Sequence, residues 1–398
     1  MRDFAVRDFD RPLCQAPVSQ VAAWETGWIG SLLHFDPPVV PNKNLVPMTV
    51  PTRWLVFVVV VGVLCSSVTL AHAQQATPRK LPERAVLVPP TISEELAQKA
   101  VSLPVRVFPL PKTDAEWKTA QHSLDADRAQ TARATATAVG ATLQEQSIAG
   151  VRCFEITPQT LSAAGANRLL VHVHGGAYVL GSGEGGLLEG ILVATACGTR
   201  VISVDYRMPP DHPFPAAVDD AVAVWKDLAA RHDRSRMALF GTSAGGGLAM
   251  ATVLFLKEHN LPRPAALFLG TPWTDLTKTG DSYFTHAELD NVLGRYEGFL
   301  EISARLYAGK TDLKNPLISP IYGDLGGFPP TILVTGTRDL FLSNTVRAHR
   351  KLRAAGVTAE LHVCEAQSHA DYLRAYPAPE SREMLEEVAR FFDQHLQK

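Results

Sequence analysis

The pentapeptide Gly241-Thr242-Ser243-Ala244-Gly245 follows directly on the apolar run Met237-Ala238-Leu239-Phe240 and opens a stretch of helix-forming residues. A G-x-S-x-G is weak evidence alone, but at a strand-to-helix boundary it prescribes a backbone. Flanking glycines relieve crowding at a sharp turn, so the serine hydroxyl projects above a sheet edge. The helix N-terminus that follows favours negative charge developing there.

That turn requires a sheet, and the rest of the sequence supplies one. Leu169-Leu170-Val171-His172-Val173, Thr199 to Val204, Met237 to Phe240, Ala265 to Leu269, Thr331 to Thr335 and Glu360 to Val363 are short apolar runs of the kind that form buried strands. Helical stretches over 217–230, 243–259 and about 344–355, with one more at the C-terminal end, lie between and after them. Strands alternating with helices imply an α/β class: a mostly parallel sheet covered on both faces. Residues 271–328 break the rhythm and read as an insertion over the site. Upstream, Thr91-Ile92-Ser93-Glu94-Glu95 marks a helix start, with Thr91 or Ser93 able to cap and acids in the first turn, and an Ala- and Thr-rich helix is expected over about 113–139, ending at Gly140.

A serine hydroxyl is a poor nucleophile at neutral pH and needs a base. Asp339 lies just past the strand 331–335 and His369 just past the strand 360–363, so both fall on the sheet edge that carries Ser243. Asp371 and Glu365 compete for the acid's place. The chain order serine, acid, histidine, with the acid after a different strand, favours Asp339, which would hold the His369 tautomer. His174-Gly175-Gly176-Ala177 directly follows the strand 169–173. Its glycine pair lets the backbone approach a ligand and aim amides at an oxyanion, alongside the amide of Ala244.

These segments, with Asp205-Tyr206-Arg207-Met208-Pro209, Phe214-Pro215-Ala216-Ala217 and Pro272-Trp273-Thr274-Asp275-Leu276-Thr277, resemble in one order the hormone-sensitive-lipase-like family of α/β-hydrolase esterases. The resemblance covers about 143–398, and the upstream helices suit that family's cap. It implies a serine carboxylesterase acting on short- to medium-chain acyl esters without cofactor. The catalytic residues would be Ser243, Asp339 and His369, with Gly175, Gly176, Ala177 and Ala244 forming the oxyanion hole. The run Thr337 to Asn344 is similar to a branch that opens lactones, so a lactone is the alternative substrate, and a non-catalytic small-molecule receptor the alternative class. Asp205, Tyr206 and Arg207 are expected to support the oxyanion loop. Two departures stand out. Ala177 replaces the third glycine, which matters only if φ there is positive. Ala366 stands where the family has glycine, implying a stiffer histidine loop.

Other chemistries find less. His172-x-His174 has no further ligand at zinc spacing, so no metal is expected. Gly181-x-Gly183-x-x-Gly186 matches a dinucleotide fingerprint with Asp205 beyond it, but it begins several residues past the strand end, so no cofactor is expected. Phe284, Leu289, Phe299, Leu300, Leu306 and Tyr307 would line an acyl pocket or, the favoured reading, form the core of a small helical insertion. Lys+Arg (38) nearly balances Asp+Glu (40), so no field of one sign would gather nucleic acid.

The N-terminal part reads differently. Leu55 to Cys65 is an apolar run preceded by Arg53 and followed by Ala71-His72-Ala73, the pattern of a secretory signal over 48–73 cut before Gln74. The expectation is a secreted or periplasmic protein whose translation starts at Met48, with 1–47 a non-native or disordered extension and 74–142 a linker and cap helices. The alternative is a membrane anchor through 54–71, against which the run is only about half the ~20 residues of a span. Cys153, Cys197 and Cys364 would remain after cleavage, an odd number best read as small buried hydrophobes.

Overall fold

The computed structural model describes residues 85–397. The expected extension, signal segment, start at Met48 and anchor alternative lie outside the described residues. So does most of the linker.

Eight strands form one sheet in the order β1-β2-β4-β3-β5-β6-β7-β8. The strands are β1 (Thr142–Ile148), β2 (Val151–Thr157), β3 (Leu169–Val173), β4 (Arg200–Val204), β5 (Met237–Thr242), β6 (Ala266–Gly270), β7 (Thr331–Gly336) and β8 (Ala359–Cys364). Strands β3 to β8 are mutually parallel; β2 alone runs against its neighbours, pairing antiparallel with β1 and β4. Every residue of β3, β5, β6 and β7 is buried, which is why these strands read as unbroken apolar runs. The β1–β2 hairpin turns on Ala149 and Gly150, both at positive φ (51° and 81°), with Ile148 paired to Val151. Two such residues match the right-handed twist of a tight hairpin.

The chain leaves β3 toward β4 and returns to the other side of β3 as β5. Strand order therefore reverses between β3 and β5, and in open α/β sheets ligands bind beyond the strand ends at such a point. The segments after β3 and β5 are His174-Gly175-Gly176-Ala177 and Ser243-Ala244-Gly245.

Six long helices cover the sheet and the site: α1 (Asp114–Val139), α2 (Leu188–Cys197), α3 (Ala216–Arg231), α4 (Ala244–Glu258), α5 (Leu342–Ala354) and α6 (Pro379–His395). Helix α1 has the expected bounds. The Thr113 side chain caps it by accepting from Glu116 N, and Gly140 closes it in the left-handed conformation at φ 71°. Segment 271–328 carries short helical pieces; Val292, Leu293, Phe299 and Leu300 from it line the cavity beside Ser243, while other side chains of the segment enter the core. Trp273, Tyr283, Tyr296, Leu300 and Tyr307 are buried within the main core, and Tyr307 stacks on Tyr178 with centroids 3.8 Å apart. Phe299 is buried too, whereas Phe284 is 62% exposed and belongs to neither core nor pocket. Cys153, Cys197 and Cys364 are free thiols, each pushed up to about 12 by burial. Among the described residues, no helix is long and apolar enough to cross a membrane.

The short helical turn Glu94–Leu96 is anchored far along the chain. Its cap residue Ser93 gives both its amide (2.6 Å) and its hydroxyl (2.7 Å) to the Glu380 carboxylate on α6. Replacing Glu380 with alanine should cost about 1.5–3 kcal/mol, the range for hydrogen bonds to a charged group. It should also speed limited proteolysis within 85–101. Unchanged cleavage kinetics there would show that the anchor does not hold the segment.

Candidate active site

Ser243 sits at φ 63° and ψ −124°, a region that non-glycine residues rarely adopt and that costs on the order of 1–3 kcal/mol. Three backbone hydrogen bonds hold it there. Its amide donates to Gly270 O (2.8 Å), and its carbonyl accepts from Trp273 N (2.9 Å) and Gly247 N (3.1 Å). The glycines of the motif are required by approach distance rather than by φ. A Cβ on Gly241 or Gly245 would lie 2.3 or 2.1 Å from the Val173 carbonyl at the end of β3. One on Gly175 would lie 2.7 Å from Thr242 O. The turn after β5 and the loop after β3 therefore rest backbone on backbone.

That loop carries the amides expected to face an oxyanion. Among the described residues, the N–H groups of Gly175, Gly176, Ala177 and Ala244 donate to no other backbone group. Gly175, Gly176 and Ala177 line the same cavity as Ser243, while Ala244 is wholly buried at the start of α4. Gly176 has φ 124°, and a Cβ there would strike Leu180 O. Ala177 has φ 55°, so the position does demand the left-handed conformation and alanine bears a strain that glycine would avoid. Ala366 shows the same substitution, at φ 59°, its amide held by Thr337 Oγ1 (2.8 Å). The histidine loop thus makes its bend with alanine, fixed by a hydrogen bond.

The loop's far side is braced. Tyr206 donates to His174 O (2.7 Å) and stacks on the His174 ring at 4.1 Å. Asp205 accepts from Gly183 N (2.9 Å) and pairs with Arg152, and Arg207 pairs with Asp220 (2.7 Å). Tyr206 and Asp205 thus brace the loop and the stretch that follows it, whereas Arg207 is tied to α3. The Gly181 to Gly186 stretch is occupied likewise, since Asp125 on α1 accepts from the amides of Gly181 (2.7 Å) and Ser182 (3.1 Å).

His369 Nδ1 lies 3.0 Å from Asp339 Oδ1, and both residues are buried. Asp339 also accepts from Phe341 N (2.9 Å) and Thr335 Oγ1 (2.7 Å), so its oxygens are fixed before histidine arrives. The imidazole meets Phe341 edge-on, with centroids 4.9 Å apart at 77°. Of the competing acids, Asp371 accepts from Ser368 N (2.8 Å) and pairs with Arg374, while Glu365 makes no contact with the imidazole. Ser243 and His369 open on one cavity of about 340 Å³ with Phe299 and Leu300 on its wall, but Ser243 Oγ makes no hydrogen bond to His369. Such contacts often tighten only when substrate binds.

One residue of this assembly escaped the sequence reading. Asp290, in segment 271–328, is fully buried beside Asp339 and His369, the three offering ligand atoms within 4.8 Å of one another. Its Oδ2 accepts from Leu340 N (2.7 Å) and its Oδ1 from Val292 N (2.8 Å) and Leu293 N (3.0 Å). Both carboxylates are thus turned to internal donors, and their arrangement is that of a braced acid loop rather than an open metal shell. Burial, then the neighbouring Asp339 charge, pushes Asp290 up to about 6. Ser282 Oγ donates to Leu340 O (2.7 Å), and His286 Nδ1 lies 2.9 Å from Asp339 O. Nothing short-range marks Asp290: it is one acid in a loop.

Residues 170–373 match a family model described as alpha/beta hydrolase fold. An acetyl-hydrolase of Streptomyces hygroscopicus is 33% identical over 56% of this chain and 75% of its own length. An esterase of Acinetobacter venetianus is 30% identical over 61% of the chain and 79% of that protein. The solved structure of esterase E25 superposes with a TM-score of 0.78 at 43% identity, covering 80% of this chain and 99% of that one. A hormone-sensitive lipase from a metagenome library gives a TM-score of 0.63 at 31% identity over 69% and 93% of the two chains.

The buried histidine of the oxyanion loop makes the site's stability depend on pH. Burial pushes His174 down to about 4, and its Nε2 has no partner among the described residues. Between about pH 6.5 and 4 the unfolded chain takes up a proton that the folded chain refuses, so stability is lost as pH falls through that window. Asp290 acts oppositely: its raised value makes the folded chain bind the extra proton between about pH 4 and 6, so its part of the stability grows as pH falls. Thermal unfolding of a His174→Phe variant should therefore lose less midpoint than wild type between pH 6.5 and 4. An equal fall in both proteins would remove His174 as the source.

Proposed function

Because the chain belongs to the hormone-sensitive-lipase-like family of the α/β-hydrolase fold and is a carboxylic ester hydrolase, we propose that it cleaves short- to medium-chain acyl esters through a Ser243–His369–Asp339 acyl-enzyme mechanism. The observation that carries this reading is the convergence at the β3/β5 switch point. A serine in a strained turn, an aspartate-held histidine and free loop amides all open on or adjoin one cavity.

In this reading Ser243 Oγ attacks the ester carbonyl while His369 Nε2 accepts its proton. Asp339, on Nδ1, fixes the tautomer and stabilises the imidazolium. The carbonyl oxygen becomes an oxyanion facing the amides of Gly175, Gly176 and Ala244, with Ala177 adjoining. Collapse expels the alcohol, which takes the proton from His369. Water then attacks the acyl-serine by the same route in reverse, releasing the acid and restoring Ser243. The cavity's size suits an acyl chain of a few carbons against Phe299 and Leu300. An open-chain ester is the preferred substrate, since the relatives are named for esters and acetyl groups. The lactone reading draws no support from them.

Export belongs to the proposal as well. The apolar run 55–65 and the Ala71-His72-Ala73 site support a protein released to the periplasm or outside the cell. N-terminal sequencing of the mature chain checks it, with Gln74 as the expected first residue.

Ser243→Ala should lower kcat for a 4-nitrophenyl ester by a factor on the order of 10⁴ or more, with the fold intact by circular dichroism. Turnover within tenfold of wild type would refute the nucleophile assignment. Wild-type activity on a chain-length series should exceed that on a medium-ring lactone.

A further inference from the structure

The cavity beside Ser243 is lined by three arginines, Arg106, Arg128 and Arg374, and by one carboxylate, Glu189. That carboxylate is already committed. Glu189 Oε1 accepts from Thr242 Oγ1 (2.6 Å), and Oε2 accepts from Thr242 N (3.0 Å) and faces His172 Nε2 (3.0 Å). The cavity therefore carries an excess of positive charge in its own wall.

The arginines are held at the site without being neutralised there. Arg128 projects from α1 beside the oxyanion loop, its Nη1 3.1 Å from the place a Cβ on Gly176 would occupy. Among the described residues it makes neither an ion pair nor a side-chain hydrogen bond; Asp125, its nearest favourable charge, is engaged by the amides of Gly181 and Ser182. Arg106 also lacks a carboxylate partner among the described residues. Its backbone amide is fixed to Asn291 O (2.8 Å), and its guanidinium lies 4.7 Å from the centre of the Phe108 ring, which in turn stacks on Phe299. Arg374 spends one nitrogen on Asp371 (3.0 Å). Burial, then the charges of Arg128 and Arg374, pushes the Arg106 guanidinium below its ordinary value. A chain does not gather mutually repelling, partly desolvated guanidinium groups without cost, and an anion between them removes it. Their planar forks match carboxylate and phosphate oxygens.

We propose that the natural substrate is an ester bearing an anionic group, a carboxylate or a phosphate, which Arg128 and Arg106 hold in the cavity while the ester carbonyl meets Ser243. This deepens the esterase reading and rests on it. The arginines contact only the remote anion, so their contribution falls on binding and on substrate choice rather than on the bond broken.

The test compares matched esters on the full chain at low ionic strength. One pair is 4-nitrophenyl hexanoate against 4-nitrophenyl hydrogen adipate; the other is propyl acetate against 2-acetoxyethyl phosphate, followed by acetate release. The expected result is an anionic member preferred by at least about tenfold in kcat/KM, the worth of one charge-assisted hydrogen bond. The pair showing it names carboxylate or phosphate. The preference should shrink in about 0.5 M salt. Arg128→Gln and Arg106→Gln should each draw the ratio toward one, chiefly through KM of the anionic member, and Arg128→Lys should retain part of it. Turnover of both pairs without charge preference overturns the anion site and leaves the esterase standing. So does an equal loss on both members in Arg128→Gln, which would make the arginine a support of the oxyanion loop. Calorimetry with Ser243→Ala separates the remaining case. Tighter binding of the adipate monoester than of the hexanoate, in a protein whose wild type turns over neither, keeps the anion site and discards the mechanism. Equal binding of the two discards the anion site.

Discussion

The structure depends on a contact between two backbones. The carbonyl of Val173, last residue of β3, sits where side chains on Gly241 and Gly245 would have to be, so the turn after β5 can close only without them. Once closed, it lays the oxyanion loop against the nucleophile, with Gly175 seated on Thr242. The strain in Ser243 is tolerable because Gly270 and Trp273, from the next strand and the segment after it, clamp both its backbone polar groups. Site geometry is thus set by close approach of main chain, which side-chain movement cannot easily relax.

Around that contact the protein deals with buried charge by giving each carboxylate its own amides. Asp339 accepts from Phe341 N, Asp290 from Leu340 N, Val292 N and Leu293 N, and Asp371 from Ser368 N. Three acids share one small region without an array of cations because backbone dipoles do the work of counter-charges. The positive groups are instead displaced to the cavity wall, where among the described residues only one of the three arginines has a carboxylate.

The parallel strands were readable because burial on both faces leaves an apolar run with nothing to interrupt it. Ser243, Asp339 and His369 were readable because chain order and strand ends together bring them to one edge. The β1–β2 pair was not, since its turn is Ala149-Gly150 rather than an asparagine–glycine, and β1 is largely exposed. Helix α2, for which the sequence reading made no provision, is so uniformly apolar that periodicity marks no face. Ala177 and Ala366 show the limit most clearly. Alanine ordinarily argues against positive φ, yet tertiary contacts impose it at both places. Segment 271–328 lacks rhythm and reads as an insertion over the site; four of its residues line the cavity, its aromatic side chains also complete the core, and Asp290 reaches the acid loop through contacts no local pattern encodes.

The hydrogen bonds between Ser93 and Glu380 join positions 287 residues apart. Loops of that size close slowly, because chain entropy must be surrendered before the contact returns anything. During synthesis the Glu94–Leu96 turn must wait for this tie until α6 has been made, whereas Arg106, nearer α1, finds its partner earlier in Asn291. Assembly of the sheet can precede it, and the short turn Glu94–Leu96 then docks among the last events. A chain ending before residue 380 would lack both this tie and the apolar face that α6 lays against the sheet through Met384, Leu385, Val388 and Phe392.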